Sequence, residues 1–474
     1  MSIIKIMDNK IISKFVSFLS DLDISKKIAL SFFMVILVGS LLLSMPISQV
    51  ATSEATYFDH LFITVSAACV TGLFIESIFE TYNFFGQVIL MCIIQIGGLG
   101  LMSFLSIIYF RLGQFVGIRN QMAVTSALNS SSLYNIKDWL SKIFKYTFII
   151  EGLGACLYAI FFIPYLGLPR GIFTSIFMAV SAFCNAGFDP LSNLSLIPFQ
   201  NVGIINWTTM ALIVLGGIGF SVWFDVSERV KEFYSNKSHR RMKDVFRKLQ
   251  PHTKLSLTFT ASLILIGATL FLIIEWGNQG TIGNLSIADK VTTSVFQTVT
   301  MRTAGFATVD YTMVRPISLV IFIATMFIGG SPGGTAGGVK TTTFALVIML
   351  VKREIEQKEY INYAKHTIPM PIVRKALVIF VLYIVLLIFG SGLILLFDPQ
   401  VDYLAILFES ISAIATVGVT ANLTSSLSYA SQVVIMILMF VGRIGPMTMF
   451  VALLPNKNKH EKNIQYTSTN IIIG

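Results

Sequence analysis

The sequence predicts an all-α membrane protein made of four repeats, each a spanning helix, a re-entrant half-helix and a second spanning helix, set around one pseudo-fourfold axis. Three observations predict it. First, 54% of the 474 residues are hydrophobic, only 12% are charged, and the mean hydropathy is +0.77. An ordinary soluble domain does not carry that composition. Second, apolar stretches long enough to cross a bilayer run at 28–45, 83–110, 146–163, 200–224, 255–274, 316–350, 376–397 and 428–453. Third, a shorter apolar run lies between the members of each successive pair, at 57–70, 171–184, 289–301 and 402–416. These runs are too short to span and suit half-helices.

Taken in order, an N-terminal segment 1–27 precedes the first repeat, 28–111. Basic residues stand before the stretch 28–45, as in a signal peptide, but Pro46 follows it where a small-residue cleavage site would be needed. A retained spanning helix is expected. Linker 112–142 leads to the second repeat, 143–225; the basic linker 226–254 leads to the third, 255–351; linker 352–373 leads to the fourth, 374–454, and a tail 455–474 follows.

The repeat is checked by its residues. The short runs end in SAACVTG, SAFCNAG, VTMRTAG and SAIATVG, closing on Gly72, Gly187, Gly305 and Gly418, which are 115, 118 and 113 residues apart. Sixteen positions before each glycine stand Thr56, Gly171, Asp289 and Asp402, residue types that serve at a helix N-cap. The second spans share a glycine motif as well: IGGLG at 96–100, LGGIG at 215–219, IGGSPGG at 328–334 and VGRIG at 441–445.

Charge sets the topology. The segments 1–27, 111–145, 226–254, 352–375 and 455–474 hold 28 of the 34 Lys and Arg, which places them and both termini in the cytoplasm. The half-helices then enter from outside. The net charge of +10 is therefore read as a topology mark and not as a nucleic-acid surface. The basic stretch 229–254 is read as a solvated loop that fixes orientation, ahead of an anionic-lipid or protein contact. Cys69, Cys92, Cys156 and Cys184 fall in apolar stretches and are expected reduced and packed, without a disulfide framework. The five histidines lie outside the long apolar runs, which argues against an intramembrane metal or a catalytic histidine.

Bare backbone at membrane depth is tolerated only where protein buries it or a cavity runs beside it. The glycine-ended tails are therefore expected to line one central pore. The candidate ion-binding residues are Val70, Thr71 and Gly72; Asn185, Ala186 and Gly187; Thr303, Ala304 and Gly305; and Thr416, Val417 and Gly418. Their carbonyls can replace the hydration shell of a monovalent cation, and half-helix C-termini aimed at the pore favour cations over anions. One such glycine alone would be an ordinary C-cap; four at near-constant spacing point to the pore.

Here the sequence resembles a known family. ATVG at 415–418 is similar to the T-V-G core of potassium-channel filters, and the fourfold plan resembles the Trk/Ktr/HKT superfamily of potassium transporters, nearest its bacterial Ktr-type membrane subunit. CVTGL, CNAGFD, TMRTAGF and ATVGVT resemble that family's filter segments, and GGSPGGTAGGVKTTT at 329–343 resembles its signature loop. The resemblance implies potassium selectivity, since glycine stands at all four filter positions. It also implies a homodimer on a cytoplasmic ring of regulatory nucleotide-binding subunits, in a bacterial plasma membrane.

The loop from Gly329 to Gly338 carries six glycines and a proline, too many breakers for a helix. A phosphate-binding loop is the weaker alternative, because Val339 stands where that pattern requires lysine and no strand precedes it. A constriction below the filter fits better, and the resemblance implies that this loop is an intramembrane gate. Its candidate residues are Gly329, Gly330, Ser331, Pro332, Gly333, Gly334, Thr335, Ala336, Gly337, Gly338 and Lys340, with Arg443 from the eighth span. Arg443 is expected to bond carbonyls freed by the broken helix, to form a positive barrier on the cation path, or both. Arg302 is read as structural, at a half-helix C-terminus, and Glu151 as an interfacial or paired residue.

The expected function is passive potassium uptake, with the potassium ion as substrate and no organic cofactor. The inside-negative potential drives it with ~2.3 kcal/mol per charge per 100 mV. A sodium- or proton-coupled secondary transporter is the alternative, but such transporters usually use inverted repeats with buried acidic residues, and these repeats run in one direction. No nucleophile–base pair or metal cluster lies in the spans, so an enzyme is not expected.

Overall fold

The computed structural model describes residues 23–100, 136–235 and 242–454. Residues 1–22, most of linker 112–142 and the tail 455–474, including its apolar end, lie outside the described residues. The described chain is helical, apart from one hairpin in which β1 (Asn362–Tyr363) pairs antiparallel with β2 (His366–Thr367).

The helices are α1 (Ile24–Leu43), α2 (Tyr57–Ala68), α3 (Phe84–Leu99), α4 (Ile136–Leu166), α5 (Leu168–Cys184), α6 (Gly203–Gly217), α7 (Phe220–Ser235) and α8 (Pro251–Glu275). They continue as α9 (Ile287–Thr300), α10 (Pro316–Phe327), α11 (Thr341–Ile355), α12 (Met370–Phe397), α13 (Tyr403–Ile414), α14 (Tyr429–Ile444) and α15 (Pro446–Leu453). Six short helical pieces, among them Ile78–Thr81 and Met242–Lys248, lie between them in the described residues. Among the described residues α1, α4, α8 and α12 are each long and apolar enough to cross a membrane. The bent pairs α6–α7 and α14–α15 raise the number to six. Apolar side chains such as Leu153, Ile273 and Leu396 point outward from the long helices, as a lipid-facing surface requires.

The helices of the four short runs, α2, α5, α9 and α13, are the most enclosed elements. Phe62, Phe177, Phe296 and Phe408, one on each, are fully buried. Two starts agree with the expected caps. Thr56 and Asp59 form a capping box, with the Thr56 N–H donating to Asp59 Oδ2 at 2.8 Å. Asp402 accepts from the N–H groups of Leu404 and Ala405. The other two differ. α9 is capped by Ser286, whose hydroxyl donates to Asp289 Oδ2 at 2.6 Å, so Asp289 is the partner three residues on and not the cap. α5 begins at Leu168, not at Gly171. Gly171 instead lets α5 pack on α4, because a Cβ there would lie 2.6 Å from the Ile163 Cα and the Phe162 carbonyl oxygen.

The second spans of the later repeats are interrupted where hydropathy predicts continuous helices. α6 turns by 99° into α7 and α14 by 100° into α15, at Gly219 (φ +96°) and Gly445 (φ +93°). α3 reaches Leu99, and Gly100 has φ of 82°; residues 101–110 of the predicted span lie outside the described residues. The broken helix expected only in the third repeat thus has counterparts in the second and fourth. The first glycine of the motif in the first, second and fourth repeats, Gly97, Gly216 and Gly442, backs onto the carbonyl of Ala68, Phe183 and Ile414, four residues before Gly72, Gly187 and Gly418. A side chain there would overlap that backbone, so the glycine is needed for the approach. Among the cysteines Cys69 and Cys184 are buried, whereas Cys92 and Cys156 are exposed, which corrects the expectation that all four are packed.

Candidate functional site

The four glycine-ended turns meet. An ideal Cβ on Gly72 would lie 2.5 Å from the Ala186 carbonyl oxygen, one on Gly187 2.7 Å from the Gly305 Cα, and one on Gly305 2.8 Å from the Val417 carbonyl oxygen. One on Gly418 would overlap the Thr71 carbonyl oxygen. The contacts run from 72 to 187 to 305 to 418 and back to 72, a closed circuit with carbonyl oxygens among the touching atoms.

The backbone conformation recurs in each turn. Val70, Asn185, Thr303 and Thr416, two residues before the glycines, have φ of 55°, 60°, 71° and 52°, and the glycines themselves have φ of 100°, 70°, 84° and 94°. Three of the four non-glycine residues are β-branched, for which the left-handed region is a true outlier. Each costs ~1–3 kcal/mol and persists only where its surroundings impose it. A chain alternating in handedness turns alternate peptide planes so that successive carbonyls face one side.

Three serines overlooked in the sequence reading help impose it. In the first, second and fourth turns the N–H before the glycine donates to a serine carbonyl: Thr71 to Ser66, Ala186 to Ser181 and Val417 to Ser412, each at 2.8 Å. The serine hydroxyls then accept from Gly72 (3.0 Å), Phe188 (3.0 Å) and Gly418 (3.1 Å). The sequence signal is F-x-x-x-S: Phe62 with Ser66, Phe177 with Ser181, and Phe408 with Ser412. In the third turn the pattern is Phe296 with Thr300, but only four residues, not five, separate Thr300 from its glycine. The Thr300 hydroxyl donates forward to the Phe306 carbonyl at 2.7 Å instead of accepting. Ser412→Ala removes one buried acceptor, so unfolding stability should fall by ~1–3 kcal/mol. A melting temperature unchanged from wild type in detergent would contradict the assigned bond.

Beneath these turns the loop 328–340 is tied on every side. Its ends touch, with the Gly329 N–H donating to the Val339 carbonyl at 2.9 Å. Its middle fills the break between α6 and α7. The Ser331 N–H donates to the Gly217 carbonyl (2.8 Å), the Thr335 N–H to Gly216 (3.1 Å), and the Gly333 carbonyl accepts from the Phe220 N–H (3.0 Å). Those are the backbone groups a helix break leaves without partners. The Thr335 hydroxyl donates to the Phe183 carbonyl at 3.0 Å. The Gly337 N–H donates to the Thr303 hydroxyl at 3.1 Å, and a Cβ on Gly337 would overlap the Thr416 hydroxyl. Lys340 Nζ donates to the Ala336 carbonyl at 2.6 Å. The loop therefore lies directly against the third and fourth turns.

Arg443 gathers three elements. Its guanidinium donates to the Thr335 carbonyl at 2.5 Å and to the Gly97 and Gly98 carbonyls at 2.5 and 3.0 Å. It bonds the loop, as expected, and also carbonyls at the end of α3. Arg302 is buried and donates to the Gly329 carbonyl at 3.4 Å, so its partner is the loop. Glu151 is paired with Gln95, at 3.3 Å. Two buried carboxylates the sequence reading passed over are also partnered. Glu275 accepts from the Ser318 hydroxyl (2.5 Å) and the Arg315 N–H (3.0 Å), joining α8 to α10. Glu409 accepts from the Thr424 hydroxyl. No group of three or more metal-ligating His, Cys, Asp or Glu is present among the described residues.

Apolar outward faces, four enclosed short helices and a closed circuit of strained backbone mark a helical membrane protein. The chain belongs to the TrkH family of cation transport proteins, whose model matches residues 5–462. It is 35% identical to the Ktr system potassium uptake protein B of Bacillus subtilis, over 94% of this chain and 96% of that one. It is 34% identical to the potassium/sodium uptake protein NtpJ of Enterococcus hirae, over 94% and 96%, and 32% identical to the Ktr system potassium uptake protein D of Bacillus subtilis, over 97% and 99%. It shares the fold of the crystal structure of the potassium transporter TrkH from Vibrio parahaemolyticus, with a TM-score of 0.69 at 18% identity, covering 90% of this chain and 84% of that one. These relatives are transport proteins.

Proposed function

We propose that this chain is the ion-conducting subunit of a potassium uptake system, with four span–half-helix–span repeats around one central pore. The observation that carries the reading is the closed circuit of four turns, each left-handed at its glycine and two residues before it. Backbone carbonyls of Val70, Thr71 and Gly72 and of their three counterpart turns replace the water around a potassium ion. The half-helix C-termini behind them contribute partial negative charge. No side-chain charge enters the circuit.

The loop from Gly329 to Gly338 is the gate, held below the filter by Arg443, Lys340 and the break after Gly217. Arg443 also puts a positive charge on the cation path, and three carbonyls account for its tolerance at that depth. Eight spans follow when α3, α6, α10 and α14 each serve as the second crossing of a repeat. Both termini lie in the cytoplasm in this reading, which the lysine and arginine distribution supports, and the bacterial relatives support a bacterial plasma membrane. The subunit names of the Ktr relatives support a second component. In our reading it is a regulatory nucleotide-binding ring beneath a homodimer of this chain.

Rubidium uptake into proteoliposomes tests the class. With a potassium diffusion potential, negative inside, and no proton or sodium gradient, uptake is expected to proceed. An absolute requirement for either gradient would replace this reading with coupled transport. Glu151 and Glu409 would then be the groups to examine, since each keeps one buried oxygen without a hydrogen-bond partner.

A further inference from the structure

The four turns are not held alike. In the first, second and fourth, a serine of the half-helix pins the turn from behind. In the third the connection is one residue shorter, and the Thr300 hydroxyl is committed to the Phe306 carbonyl. What Thr303 has instead is the loop, since its hydroxyl accepts from the Gly337 N–H. The hydroxyls of Thr71 and Thr416 are buried with no partner. Arg302, the residue before Thr303, also reaches the loop, at the Gly329 carbonyl. The third turn therefore keeps one side-chain bond to its own half-helix, beyond Gly305 at Phe306, while its left-handed residue Thr303 has its side-chain partner on the loop.

We propose that Thr303 is a positioning residue that sets the shape of the third turn only while the loop is seated, so that opening the gate is transmitted to ion discrimination through this one quarter of the filter. The proposal rests on the filter and gate reading above. When the loop withdraws, Thr303 loses its donor and a β-branched residue with φ of 71° loses part of what imposes that conformation. The pinned turns keep their supports. Discrimination between potassium and sodium is thus predicted to be lower in the open state, through relaxation at Thr303 and Ala304.

The test is a double-mutant cycle on the full chain in proteoliposomes, reading the ratio of rubidium to sodium flux. Thr303→Val, which keeps the shape and removes the acceptor, is expected to lower the ratio about fivefold, the scale of one net hydrogen bond. In a variant lacking residues 329–338 it should lower the ratio no further, because the donor has gone. Ser412→Ala should lower the ratio in both backgrounds. Thr303→Ser, which restores the hydroxyl, should recover most of the loss. An additive effect of Thr303→Val and the deletion, or no recovery with serine, would overturn the coupling while leaving the filter reading intact. An unchanged ratio in Ser412→Ala as well would remove the filter reading itself.

Discussion

Replacing Gly418 by serine is expected to reduce discrimination between potassium and sodium about tenfold or more, the effect of ~1.4 kcal/mol at a single site. Two physical reasons act together. The glycine has φ of 94°, where an L side chain is disfavoured by ~1–2 kcal/mol. A Cβ would also overlap the Thr71 carbonyl oxygen and lie 2.9 Å from the Gly72 Cα. Neither neighbour is the flexible end of a side chain, so the turn itself must shift. Carbonyls that no longer converge lose their advantage over water for the larger, less hydrated ion. Gly72→Ser meets the Ala186 carbonyl oxygen at 2.5 Å and should act in the same direction. Growth and flux in a cell lacking its own potassium uptake, compared at matched membrane levels, check both. Unchanged selectivity in the two variants would remove the filter assignment.

Deleting residues 329–338 should raise rubidium flux, also by about tenfold, since removing a closed-state constriction worth ~1.4 kcal/mol has that effect. The loop is suited to excision. Gly329 N–H already donates to the Val339 carbonyl, and the Val339 N–H donates to Phe327, so the flanking chain is adjacent before any residue is removed. α10 and α11 need little displacement to be rejoined. Against the deletion stand the carbonyls of Gly216 and Gly217, which lose their donors, and Arg443, which loses Thr335. Each lost bond costs ~1 kcal/mol net, less where water enters the vacated space. Lower flux in a folded deletion variant would show that the loop supports the path and does not close it.

The parts of this fold that were legible in the sequence are those written in residue type. Gly72, Gly187, Gly305 and Gly418 are conspicuous because the left-handed turn admits little else. The Gly329–Gly338 segment is conspicuous because six glycines and a proline cannot stay helical. What escaped was written in spacing or direction. Aligning the repeats on their glycines hides the missing residue after Thr300; aligning them on Phe62, Phe177, Phe296 and Phe408 reveals it and brings the serines into register. The bends at Gly219 and Gly445 leave no trace in hydropathy, because α7 and α15 begin with apolar residues and merge with the spans before them. Gly171 stands at a cap position in the sequence, although glycine is equally the residue of close helix packing, and only the position of Ile163 decides between the two. The partners of Arg443 come from elements 108 and more than 300 residues away, beyond any local pattern.

One polypeptide supplies all four quarters of the circuit, and the quarters already differ: valine, asparagine, threonine and threonine stand at the first left-handed position, and threonine, alanine, alanine and valine follow them. An assembly of identical subunits changes every quarter with each codon it alters. Here a single nucleotide change alters one quarter and leaves three as they were, so on the proposed filter reading ion preference can be inherited and selected in small increments instead of all at once.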